Sequence, residues 1–352
     1  MAANSDPKQT DVAAAPAVGK VGASEHKSPS FWRQIGQSKE FGVLIALAIL
    51  CVFMSLASPY FATSKNIFNV LQGMSTIAIV AIGETMVLVA GGLDLSVGAV
   101  LAVGAMVTAR TMTYHGFHPW IAVGAGLLAG LIFGTVTGLI ITKGKINPFI
   151  TTLGMLSIGR GLAYLLATGL EGTVASNVPM RDAGVNFLGA GYIGPVPFSV
   201  MIMVFLVIVF SLFMAKTVLG RQIYAVGTNE QAARLSGVNV DRVRLFTYMA
   251  TGVLAALAGV MTAGLLSTAA TNLGLGVELD VIAATIIGGT SMSGGDGTVY
   301  GALIGAAIMA VVRNAFVLLN LPLALQTVTI GVVIILAVAL DRFRRIRSHS
   351  SS

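Results

Sequence analysis

The sequence predicts an all-α fold: a polytopic helical membrane protein of about ten transmembrane segments, with a weak internal repeat. Three observations carry that prediction. Of 352 residues, 55% are hydrophobic and only 10% charged, whereas soluble domains carry about 25% charged residues. Apolar runs close to the roughly 20 residues needed to cross the hydrocarbon core recur along the chain. The 42 glycines suit helices that pack backbone to backbone in lipid.

Taken in order, residues 1–40 are polar, rich in Ala, Ser, Pro and Lys, and have no apolar h-region. They read as a disordered tail, not a cleavable signal. A membrane domain follows over residues 41–341. Its first half supplies spans at Gly42–Ser58, Asn66–Val89, Ser96–Thr113, Trp120–Ile141 and Pro148–Ala167. The second half supplies Phe198–Ala215, Leu245–Ala269, Val277–Met292, Val299–Leu318 and Leu323–Leu340. Val277–Met292 is short enough to be re-entrant or tilted. Residues 342–352 form a short basic tail.

Ten spans place both tails on one side of the membrane. Sixteen of the 21 Lys and Arg residues fall there, leaving Lys65, Arg110, Arg160, Arg181 and Arg313 elsewhere. That asymmetry assigns both termini to the cytoplasm and makes Gly169–Pro197 the longest external loop. Net charge is +7, but the basic residues flank apolar spans, so no nucleic-acid partner is expected. The lone Cys51 sits in an apolar run, and the four histidines are scattered, so neither a disulfide nor a metal site is expected.

Glu84–Ala105 and Ala284–Ala306 echo one another: an apolar run, paired glycines, an acid in a short turn, then a Gly-rich helix. Both turns fall on the same side, so a true repeat would be parallel; chance similarity between two Gly-rich helical hairpins is the alternative. Charge inside these spans is the best pointer to function, because each such group costs about 2.5–3.5 kcal/mol. Glu84 and Arg160 lie within spans, and Asp94 and Asp296 lie at the Gly-rich turns. They are candidates for a polar pathway or gate. The structural alternative has Glu84 and Arg160 neutralise each other or bond neighbouring backbone, and makes the turn aspartates helix caps.

Thr228–Arg244, "TNEQAARLSGVNVDRVR", is a polar island between apolar runs. Thr228 with Gln231 fits a capping box, and Gly237 supplies a left-handed end after about two helical turns. Glu230 and Arg234 are spaced to pair. Ala232, Ala233 and Leu235 offer a small apolar surface that suits a shallow groove on another protein. A solvated connecting loop is the plain alternative. Ser291–Gly297 superficially resembles a nucleotide-sensing signature, yet the chain has no GxxxxGK[ST] phosphate loop, so a Gly-rich turn is the better reading.

Gly220–Val240, "GRQIYAVGTNEQAARLSGVNV", closely resembles a cytoplasmic loop of bacterial ATP-binding-cassette sugar permeases of the ribose type, carbohydrate uptake family 2. Gly91–Ala99 and Glu278–Ala306 resemble two further hallmarks of that family, and the likeness runs from about Phe41 to Asp341. The resemblance implies a permease subunit for a pentose, hexose or polyol in the bacterial inner membrane. It implies a separate ATPase that uses ATP and Mg2+, a periplasmic sugar-binding protein, and a permease homodimer. This chain itself would then bind no cofactor. The coupling helix docking on the ATPase would be Thr228, Asn229, Glu230, Gln231, Ala232, Ala233, Arg234, Leu235, Ser236 and Gly237. The rival class is an ion-coupled secondary transporter in which Glu84, Asp94 and Arg160 relay protons.

Overall fold

Glycine recurs at every fourth position of the span after Pro119, at Gly126, Gly130, Gly134 and Gly138. Four-residue spacing puts these on one helix face, where a second backbone can approach closely. The structure, a computed structural model, describes residues 39–168 and 177–349 and shows that approach. In chain order the helices begin with α1 (Lys39–Ala57), α2 (Ser64–Val89), α3 (Val97–Thr113), α4 (Pro119–Thr142) and α5 (Pro148–Thr168). Then come β1 (Asn177–Pro179), α6 (Ala183–Ala190), β2 (Tyr192–Ile193), β3 (Val196–Pro197) and α7 (Phe198–Lys216). The rest is α8 (Val218–Thr228), α9 (Glu230–Leu235), α10 (Val240–Leu266), β4 (Thr268–Ala270), α11 (Val277–Ile287), α12 (Val299–Leu318) and α13 (Leu323–His349).

Every predicted span meets a helix: α1 to α5, α7, and α10 to α13. Among the described residues, seven of them are long and apolar enough to cross a membrane. The predicted span Val277–Met292 is corrected. Only Val277–Ile287 is helical, 11 residues or about 16 Å, against a hydrocarbon core of about 30 Å. Glycines at 288 and 289, the latter at φ 94°, stop it. The tail 1–38 and the loop residues 169–176 lie outside the described residues. At the C-terminus α13 continues past Asp341 to His349, so the boundary at 342 is not a helix end.

α10 is the centre of the bundle and packs on α2, α3, α4 and α6. A β-carbon at Gly130 would fall on the Gly252 carbonyl, and one at Gly134 on the Tyr248 carbonyl. One at Gly138 would lie 2.8 Å from the Leu245 side chain. Side chains are absent there because backbone occupies their place.

Polar caps fix where the second-half helices start. Thr217 accepts from Gly220 N, Asn239 from Arg242 N and Thr298 from Gly301 N, each at 3.0 Å. Each satisfies one of the backbone donors that a helix start leaves open. α10 ends where Ser267 turns left-handed, φ 53°. β4 then pairs antiparallel with β1, Val178 opposite Ala269. Residues 177–197 of the segment predicted as a long external loop therefore hold β1, α6, β2 and β3, with α6 packed on α10.

The echoing turns meet at one end of the bundle. Gly295 N donates to Val89 O at 2.9 Å, so the two lie side by side, as a parallel repeat requires. Their first arms differ, 26 residues in α2 against 11 in α11. At this same end Glu40 accepts from Thr298 Oγ1 at 3.0 Å, which places the start of α1 there too.

The glycine row predicts a sharp position dependence. Gly130→Ile and Gly134→Ile should each lower the melting temperature in detergent, because overpacking of this kind costs about 1–3 kcal/mol or more. Gly124→Ile, two residues before the row and open to its surroundings, should melt like wild type. Equal melting in all three would refute backbone contact as the organising feature.

Candidate functional site

The polar island runs from the last residue of α8 through α9 into the first turn of α10. α8 ends at Thr228, whose hydroxyl donates to Tyr224 O at 2.8 Å. The predicted capping box is thus corrected by one residue. Asn229, extended at φ −157°, is the N-cap of α9 and accepts from Ala232 N at 2.9 Å. Thr228 is still helical and cannot cap. Gly237 behaves as predicted: φ is 81°, and its N–H donates to Arg234 O at 3.0 Å.

α9 divides its residues sharply. Ala233 is 5% exposed, packed into the chain's own core, so the predicted outward Ala232–Ala233–Leu235 surface is only partly right. Gln231, Ala232, Arg234, Leu235 and Ser236 face out. Leu235 is 91% exposed, an apolar side chain with nothing of its own chain over it.

Ion pairs hold the helix at both ends. Arg234 Nη2 lies 2.9 Å from Glu230 Oε1 and 3.1 Å from Asp241 Oδ1. Arg244 Nη2 lies 2.9 Å from Glu230 Oε2. Lys145, from the turn between α4 and α5, reaches Asp241 at 3.2 Å. Hydrogen bonding from Arg234, then the charges of Arg244 and Arg234, keep Glu230 below the usual carboxylate range. Burial pushes Asp241 up, but hydrogen bonds from Lys145 and Arg234 outweigh it and leave its pKa lowered.

α8 is wedged against the paired turns behind it. A β-carbon at Gly227 would fall on Val89 O, and Tyr224 Oη donates to Gly297 O at 2.8 Å. Asp296 belongs to this second turn, where its carbonyl accepts from Ser291 N at 2.9 Å. The cap of α12 is Thr298, so the helix-cap alternative fails for Asp296.

The first turn folds back into the membrane. α2 ends at Val89, Gly91 takes φ 77°, and Asp94 N then donates to Glu84 Oε1 at 3.1 Å. The chain at Asp94 has returned to a level about 7 Å inside the end of α2. Asp94 Oδ1 accepts from Ser96 N at 2.8 Å and Ser96 Oγ at 2.6 Å, which prepares the start of α3. α3 therefore begins inside the end of α2 and runs for 17 residues. Irregular backbone is tolerated at such depth only where protein or a cavity surrounds it.

Glu84 and Arg160 do not pair. Arg160, on α5, donates to Leu273 O at 2.6 Å and Gly274 O at 2.7 Å, with Glu278 Oε2 3.8 Å away. It pins the second break, between β4 and α11. The start of α3 also lies there: a β-carbon at Gly98 would meet Glu278 and Gly274 O. α5 packs on α3, and Arg160 is engaged at this second break while Glu84 is engaged at the first. A further pair, Arg313 on α12 with Asp280 on α11, holds the short helix from its other side. Sequence reasoning did not single out Asp241, Arg244 and Tyr248 as partners. Their spacing of three and four residues, one face of α10, was the available signal.

A multi-pass helical bundle with helices broken at membrane depth, presenting a small polar helix at one end, defines a membrane transport subunit. The chain belongs to the family described as branched-chain amino acid transport system / permease component, whose model matches residues 66–338. It is 40% identical to the ribose import permease protein RbsC of Escherichia coli K12 over 298 residues, 85% of this chain and 92% of that one. It is 34% identical to the L-arabinose ABC transporter permease protein AraH of Azospirillum brasilense, covering 95% and 94% of the two chains. Identity to the D-allose transport system permease protein AlsC of Escherichia coli K12 is 36%, covering 86% and 91%. No solved structure matches the chain.

Two outcomes test this geometry. Arg160→Met leaves Glu278 uncompensated and should cost about 3–5 kcal/mol, as breaking buried pairs does, while adding Glu278→Gln should recover part of it. Glu84→Gln with Arg160→Met should be additive in the same melting measurement; strong coupling there would show that the two groups meet. The second outcome concerns pH. Glu230 and Asp241 are both lowered on folding, so their contribution is complete above the unfolded range and lost as pH falls through the folded values. A bimane label on Ser236→Cys, in a Cys51→Ser background, should keep constant anisotropy from neutral pH down to about 4.5 and loosen below about 4. Loosening on the alkaline side of neutrality would contradict the sign.

Proposed function

We propose that this chain is the membrane-spanning subunit of an ATP-driven importer of a monosaccharide, and that α9 is its contact with the ATPase. The observation carrying the proposal is Leu235, almost fully exposed on a helix clamped at both ends. A rigid two-turn helix with one bare apolar side chain is shaped to enter a shallow groove. The chain has no phosphate-binding loop of its own, so ATP and Mg2+ belong to that partner. A periplasmic binding protein delivers the sugar at the opposite end.

A neutral solute fits the intramembrane charge. Arg160 is committed to two carbonyls and Glu278, and Arg313 to Asp280. A zwitterionic amino acid calls for fixed charge of both signs, whereas a sugar calls for hydroxyl and amide groups. The relatives named above carry ribose, arabinose and allose in their names, which supports a pentose or hexose. A proton relay through Glu84, Asp94 and Arg160 is disfavoured, because Arg160 lies with Glu278 instead. Lys143, Lys145, Arg234 and Arg244 all gather at the α9 end, which supports placing that end in the cytoplasm. α1 starts and α13 ends on that side, in a bacterial inner membrane. Two copies around a central path would present two α9 helices, one for each ATPase site.

Leu235→Asp and Ala232→Trp test the docking face. Both point outward, so membrane abundance should stay normal while copurification with the ATPase and sugar uptake each fall about tenfold or more. Ala233→Trp should instead lower abundance by disrupting the chain's own core. Normal uptake with full ATPase retention in both outward variants would return α9 to a connecting loop.

A further inference from the structure

We infer that Arg244 is the positioning residue that links α9 to the break between α2 and α3. The inference rests on α9 being the ATPase contact and says how its movement reaches the membrane interior. Asp241, Arg244 and Tyr248 occupy one face of α10, at spacings of three and four residues. Asp241 holds the C-terminal end of α9 through Arg234, at 3.1 Å. Arg244 holds its N-terminal end through Glu230, at 2.9 Å, and its Nε donates to the carbonyl of Ala90 at 3.4 Å. Ala90 is the residue that ends α2. One turn further along α10, Tyr248 Oη donates to Leu93 O at 3.4 Å.

Arg244 thus touches two things at once: a charged side chain on the exposed helix and the backbone at the mouth of the broken segment. The segment Ala90–Ser96 is anchored below by Glu84 on Asp94 N. Displacing α9 therefore drags the upper end of the segment against a fixed lower end. Guanidinium geometry suits this task, because separate N–H groups can serve Glu230 and the carbonyl together. α8 offers a second, stiffer route through Gly227 against Val89, but that contact is steric and can only push.

The test uses the full chain, with Cys51→Ser and a single Leu95→Cys, copurified with its ATPase in nanodiscs. N-ethylmaleimide labelling of the half-buried position 95 is timed without nucleotide and after trapping with MgATP and orthovanadate. Trapping should change the rate about fivefold or more, the low end of ordinary coupling. Arg244→Met and Arg244→Gln should each abolish the change while still holding the ATPase; Arg244→Lys should keep part of it. Either variant serves if the other fails to fold. A wild-type rate that trapping leaves unchanged overturns the inference. So does a normal response in both variants, or loss of the ATPase from both, which would make the pair a mere brace for α9. Failure of the parent protein to retain any ATPase would instead strike at the docking role of α9.

Discussion

The close approach of α4 to α10 is the contact on which the rest of the molecule depends. Lipid tails are as apolar as leucine, so hydrophobic burial alone does not drive one membrane helix onto another. Dispersion between backbones does, and it is largest where side chains are missing. Gly130 and Gly134 lie directly on the α10 backbone. This fixes both the position and the rotation of α10, because a row every four residues matches only one face. The face of α10 carrying Asp241, Arg244 and Tyr248 is then aimed at the α9 end and at the break after α2.

Charge inside the bundle follows from the interruptions in its helices. Each break frees carbonyl and amide groups in a region without bulk water, and an ionisable side chain attends each one. Arg160 donates to the carbonyls of Leu273 and Gly274, and Glu84 accepts from the amide of Asp94. These groups thus satisfy backbone as much as each other. The desolvation cost of a lone charge explains why Arg160 keeps Glu278 nearby.

At the exposed end, the same side chains serve stiffness. Six residues of helix are far too few to be stable alone. α9 is instead held by Asn229 at its start, Gly237 at its end, and a chain of four charged groups from α9 and α10. Exposed pairs of this kind contribute little stability individually. Their value is geometric, since they leave Leu235 outward on a fixed frame.

Sequence by itself determined what depends on local physics. Hydropathy located a helix for each of ten apolar runs, seven of them long and apolar enough to cross a membrane, since the length of an apolar run is a local quantity. Gly237 announced a left-handed stop because no other residue takes that conformation freely. Caps were legible to within one residue: Thr228 and Asn229 both have capping side chains, and only the continuation of α8 through Thr228 selects Asn229. The tertiary structure alone decided which charges meet. Glu84 and Arg160 are both intramembrane, and nothing in their spacing shows that one serves the break after α2 and the other the break before α11. Ala233 and Leu235 are both apolar on a two-turn helix, and only the packing of α9 on the core buries the first and bares the second. Pairing is a property of distance in space, and along this chain that distance is set by the glycine row of α4, far from the charges it arranges.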